Sequence, residues 1–301
     1  MLNSKRFYAP LFATGFLLST VVSSTVLASS IRLEEKVIYG DDNRRDLYQV
    51  TDAAWLRAAD STVALIKRAN LKVQPDGSFN IRTENFGKSY NLCAEEPYRD
   101  QETGAFCSGF LVTPDTIVTA GHCIRDAYDC NNTSFVFGFG FHQEGAQPKT
   151  AAASEAYNCK SVVKSFVQND GADFAVVKLD RPVENHDPVK LRLSGNVIEG
   201  DELTVIGHPA GLPTKVSDGA QVRDASKKGY FVANLDTYGG NSGSAVFNTR
   251  TMEVEGILVR GEQDFTYKPG AGCSISYRCA DTGCRGEDVT LIGEVFKYLS
   301  R

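Results

Sequence analysis

Between residues 106 and 259 the chain is a succession of short runs rich in β-branched and aromatic residues, each stopped by Gly, Pro, Asn or Asp. The runs fall at 106–112, 116–119, 134–141, 161–167, 174–179, 202–207, 229–234, 244–247 and 254–259. Strands this short, with turns this frequent, build antiparallel sandwiches or barrels and exclude an alternating β-α architecture. At the end of the chain the period changes. Val289, Ile292, Val295, Phe296 and Leu299 recur at helical spacing, which predicts a C-terminal helix over 287–300. Residues 53–65 fit a helix or a strand equally well. The polar stretch 67–105, with turn signals at Pro75-Asp76-Gly77 and Glu96-Pro97, predicts a decorated loop or a hairpin.

The N-terminus bears on compartment. Lys5 and Arg6 precede an apolar stretch from Leu11 to Leu27 that ends in the small-residue pattern Val26-Leu27-Ala28. A positive start, an apolar middle and such an end predict a signal peptide over 1–28; the rival reading is a membrane anchor. Export makes disulfides the natural state of the eight cysteines, and no CxxC pair suggests a zinc site. A basic residue before Val37-Ile38 is a processing point, so 29–36 is read as a short propeptide and Val37 as the candidate mature terminus. A net charge of -5 offers no polyanion-binding surface, so a nucleic-acid partner is not expected.

One turn is suited to chemistry. Tyr238-Gly239-Gly240-Asn241-Ser242-Gly243-Ser244 places a serine among glycines just after a strand-like run. Acyl transfer needs a hydroxyl on a tight turn, with backbone N–H groups aimed where an oxyanion will form. Ser242 is the candidate nucleophile, and the N–H groups of Gly240 and Ser242 are the candidate oxyanion donors. Taken alone, the same turn could simply link two strands.

A second motif weighs against that plain reading. Phe106-Cys107-Ser108-Gly109-Phe110 followed by Ala120-Gly121-His122-Cys123 resembles the chymotrypsin/trypsin-like serine proteases. The resemblance implies a Cys107–Cys123 bridge clamping the loop that carries a general base, His122. In Gly171-Ala172-Asp173-Phe174-Ala175-Val176-Val177-Lys178 it implies that Asp173 is the buried carboxylate orienting that base. The chain order His, Asp, Ser agrees with this family and disfavours an esterase-type hydrolase. The implied fold is all-β, two six-stranded antiparallel β-barrels, with halves at 37–185 and 186–301.

Within the family, Gly240-Asn241-Ser242-Gly243-Ser244 and Gly207-His208-Pro209 look most like the bacterial V8-like, glutamyl-endopeptidase branch, although 67–105 and the tail from Gly261 fit it poorly. Specificity divides. Asp236 stands six residues before Ser242, where trypsins keep a pocket carboxylate for a basic substrate side chain. The V8-like branch instead uses a histidine where this chain has Leu258. Thr237, Val259 and Arg260 complete the implied substrate pocket; Arg260 could receive an acidic group or pair with Asp236. Cys130–Cys159 is a further expected bridge, and Cys93 is expected to take one of Cys273, Cys279 and Cys284. The expectation is a secreted or periplasmic monomeric endopeptidase acting on protein or peptide, with no metal or other cofactor and no stable membrane association. Its rivals are a glutamyl-specific enzyme and a secreted binding module on an inactive protease fold.

Overall fold

The computed structural model describes residues 37–299, so the signal peptide and propeptide expected over 1–36 lie outside the described residues. Six antiparallel strands close a first barrel in the order Thr133–Val136, Ala156–Val167, Asp173–Leu179, Thr116–Thr119, Cys107–Thr113 and Thr62–Lys67. The second runs Glu202–Gly207, Ala245–Asn248, Val254–Arg260, Glu287–Leu291, Tyr230–Ala233 and Lys215–Asp224, the last pairing back with the first. The architecture is the all-β double barrel expected. Closure pairs the free edges that such short strands would otherwise expose.

Each barrel is filled by the apolar members of those runs. Val63, Leu65, Phe110, Val118 and Val176 are fully buried in the first, and Leu203, Val246, Leu258 and Val289 in the second. Burying one such side chain is worth about 1.5–3 kcal/mol. Residues 53–65 resolve into both alternatives: a helix Ala53–Asp60, capped by Asp52 accepting the Ala54 N–H at 2.8 Å, and then the strand Thr62–Lys67. The helix buries Trp55 edge-on against Phe247.

The C-terminal expectation changes. Residues Glu287–Leu291 are a strand of the second barrel, and the helix that follows is a short 3-10 segment, Ile292–Tyr298. Two further strands of the barrels escaped the sequence reading, Thr62–Lys67 in part and Lys215–Asp224 entirely.

Segments that precede the first barrel in the chain dock on the second. Ile38–Tyr39 pairs in parallel with Arg278–Cys279, and Arg44–Asp46 extends the sheet beside Lys215–Asp224. The 67–105 stretch forms small hairpins and a helical turn, Phe86–Ser89. Cys93–Cys273 ties it to the tail hairpin Phe265–Lys268/Cys273–Ser276, and Phe86, Tyr90, Tyr238 and Phe265 stack between them. The other bridges are Cys107–Cys123, Cys130–Cys159 and Cys279–Cys284. Among the described residues no helix is long and apolar enough to cross a membrane.

Candidate active site

Asp173 opens a strand of the first barrel and is almost completely buried. Its carboxylate is held from several sides. Oδ1 accepts the backbone N–H of Gly121 at 2.6 Å and of His122 at 3.2 Å, while Oδ2 lies 2.7 Å from His122 Nδ1. Its own N–H donates to Thr290 Oγ1 at 2.9 Å, and that hydroxyl donates back to Asp173 O at 3.0 Å, which ties the strand start to the second barrel. The loop carrying His122 is clamped by the Cys107–Cys123 bridge. With their sulfurs bonded to each other, these cysteines offer no thiolate to a metal beside His122.

Ser242 arrives from the second barrel, on the turn before Ala245–Asn248. Its carbonyl accepts the Ser108 N–H at 2.8 Å, and Ser108 Oγ donates to Gly240 O at 3.0 Å, so the turn is pinned to the strand Cys107–Thr113. The glycines are required by geometry. Gly240 and Gly243 adopt φ of 89° and 90°, and a Cβ on Gly243 would strike Ser108 O and Thr119 Oγ1. His122 and Ser242 line one cleft of about 270 Å³, together with Gly240, Lys67, Phe106 and Arg125.

Asp236 is not in that cleft. It is buried, and its carboxylate accepts the backbone N–H groups of Tyr39 at 2.7 Å and Asn43 at 2.9 Å. Burial pushes its carboxyl up to about 7, against the lowering effect of those two N–H bonds. Both oxygens are thus engaged by the 37–43 segment, whereas the sequence placed this carboxylate in the substrate pocket. Arg260 does not pair with it either. The guanidinium bonds Asp288 Oδ2 at 3.0 Å and the carbonyls of Gln168 and Gly171, and it lies 3.9 Å from Asp173 Oδ2.

Thr237, Val259 and Leu258 are all fully buried. Thr237 leads to a residue that sequence reasoning missed. Its hydroxyl donates to Glu287 Oε2 at 3.0 Å, and a Cβ on Gly261 would overlap the Glu287 carboxylate. Glu287 therefore sits between the segment leading to Ser242 and the one leaving the strand Val254–Arg260. The only available signal was its place at the head of a run assigned to a helix.

Residues 107–257 match the family model described as "Trypsin-like peptidase domain". The chain is 28% identical over 152 residues to a glutamyl endopeptidase of Bacillus licheniformis, a match covering 47% of this chain and 45% of that protein. It is 30% identical over 86 residues to the thrombin-like enzyme acutin of Deinagkistrodon acutus, covering 28% and 33%. In both matches the chain spans less than half of the relative's own length. A solved structure of a Glu endopeptidase in complex with MPD aligns over 87% of this chain and 97% of that one, at 18% identity and a TM-score of 0.48.

Proposed function

The chain belongs to the trypsin-like peptidase family, and from that premise we propose that it is an exported serine endopeptidase working through His122, Asp173 and Ser242. The observation that supports this most directly is the 2.7 Å contact between His122 Nδ1 and Asp173 Oδ2, in a cleft that His122 shares with Ser242. With Nδ1–H donated to the carboxylate, Nε2 is the basic nitrogen. It takes the Ser242 Oγ proton as that oxygen attacks a peptide carbonyl. The Gly240 and Ser242 N–H groups stabilise the oxyanion, and His122 returns the proton to the departing amine. Water, activated by the same imidazole, then hydrolyses the acyl-enzyme. Export is supported by four disulfides and by the signal-like N-terminus.

For the residue before the cut bond, a basic side chain remains the favoured reading; Glu287, fully buried behind Thr237 and Gly261 and accepting the Thr237 hydroxyl and the Glu262 N–H, is the candidate for a carboxylate at the floor of that pocket, in the role first given to Asp236. A carboxylate between Thr237 and Gly261 attracts a cation and repels an acidic substrate group. A glutamyl preference has support in the name of the Bacillus licheniformis relative. It lacks a cationic partner at position 258, where a fully buried leucine stands.

The test is fluorophosphonate labelling of the purified mature chain, with mapping of the labelled residue, followed by cleavage of a peptide library. Label on Ser242 and cuts after Arg or Lys are expected. A folded chain that takes no label would favour the binding module, and cuts confined to Glu would remove Glu287 from its role.

A further inference from the structure

We propose that Lys67 makes this enzyme prefer substrates with an acidic side chain just after the cut bond. The inference rests on the catalytic reading above. Lys67 and Phe106 line the same cleft as His122 and Ser242, and both also line an adjoining groove that runs on to Arg82 and Glu84. The cleft of the reacting serine and this groove thus share Lys67 and Phe106 as a common wall. The ammonium rests 3.8 Å from the centre of the Phe106 ring, a packing that holds a cation in place without neutralising it.

The charges around it differ in how they are compensated. Arg125, at the mouth of the cleft, is held by Asp129 through bonds of 2.8 and 3.2 Å, so that pair nearly cancels. Farther along, Arg82 and Glu84 share the groove with opposite signs. Lys67 makes no ion pair among the described residues; Asp129, in the same cleft and already bonded to Arg125, acts on it only through space, so the ammonium keeps most of its charge for a ligand.

Geometry decides which half of the substrate meets it. The acyl half is held by the Gly240–Ser242 turn of the second barrel. The departing amine must meet the imidazole of His122, on a loop of the first barrel, where Lys67 ends one strand and Phe106 leads into another. The residues that follow the cut bond therefore leave along the first barrel, past Lys67. An Asp or Glu there meets a cation; a Lys or Arg meets like charge.

The test uses the full mature chain and internally quenched peptides identical before the cut bond, with Asp, Glu, Gln, Ala or Lys in the first two positions after it. The parent is expected to favour Glu or Asp over Lys by about fivefold in kcat/KM, the scale of a part-exposed ion pair. One molar salt should compress that ratio. Lys67→Glu should invert it and Lys67→Met should flatten it, each variant first being shown to fold and to take fluorophosphonate at Ser242. A flat parental profile, or an unchanged ratio in a Lys67→Glu chain that labels, overturns the proposal and leaves the catalytic reading standing. A parent that neither labels nor cuts overturns both.

Discussion

The Asp236 carboxylate receives the backbone N–H of Tyr39 at 2.7 Å, joining a residue near the start of the described chain to the segment that leads into the Ser242 turn. Asn43 N–H occupies the second oxygen at 2.9 Å. Burial of this carboxyl, which outweighs the two N–H bonds, gives the fold a pH dependence of defined sign. Burial raises the carboxyl to about 7 in the folded chain, while in the unfolded chain it titrates near its usual value of about 4. Between those values the folded state holds the extra proton. The associated stability is complete at the acid end and is lost as pH rises toward 7. Asp236→Asn keeps one acceptor and removes the titration. The melting temperature of the parent minus that of the variant should fall from pH 4 to pH 7 and stay constant above; a difference independent of pH across that window would refute the argument.

The Asp173 carboxylate binds two backbone N–H groups and the His122 ring at once. Asp173→Asn retains the shape and one acceptor, but its amide can present an N–H to Nδ1 and stabilise the wrong tautomer. A fall of about 10⁴-fold in kcat is expected, with little change in KM. Steady-state kinetics on a single peptide checks this. A loss below tenfold would mean that another group orients the imidazole.

How much of this was legible in the sequence follows from what sets each element. The runs at 116–119 and 202–207 were readable to the residue because 116–119 and 203–206 are unbroken β-branched or apolar stretches with sharp ends. Lys215–Asp224 was not, since its only strictly apolar members are Val216, Ala220 and Val222, and Gly219 interrupts it. The terminal helix was misread for a related reason. Val289 belongs to a strand and Ile292 to a 3-10 turn, and a period of three after Ile292 imitates an α-helical stripe. Motif spacing located Asp236 along the chain but carried no information about its neighbours. The 37–43 segment, nearly two hundred residues earlier, claims its oxygens. Glu287 was hidden by the same long-range logic, because only barrel closure brings it beside Thr237.

Glu287 permits a sharper test of substrate choice. Gln at that position keeps an oxygen for the Thr237 hydroxyl and removes the charge. For peptides with Arg or Lys before the cut bond, kcat/KM should fall by about 10²-fold, the scale for losing one partner of a desolvated charge pair. Peptides with a neutral residue there should change little. Equal losses across all peptides would assign Glu287 to the fold instead.

The last prediction concerns the ion pair that seats the Arg44–Asp46 strand. Lys215 is buried with its ammonium 2.6 Å from Asp46 Oδ1, and Gln101 bridges the two, accepting from Lys215 Nζ at 2.9 Å and donating to Asp46 Oδ2 at 2.8 Å. Burial lowers the lysine to about 8, with Asp46 opposing that shift, so the ammonium keeps its charge at neutral pH. Two ions out of water gain from each other about what each loses in hydration, so the pair as a whole adds little stability. Breaking it is different. Lys215→Met leaves the Asp46 carboxyl buried without its cation, at an expected cost of about 3–5 kcal/mol in urea unfolding. Adding Asp46→Leu should restore most of that loss, because no ion is then left behind. A double variant as unstable as the single one would show that the pair holds the strand through its geometry, with the Gln101 bridge as the element that neither apolar side chain can replace.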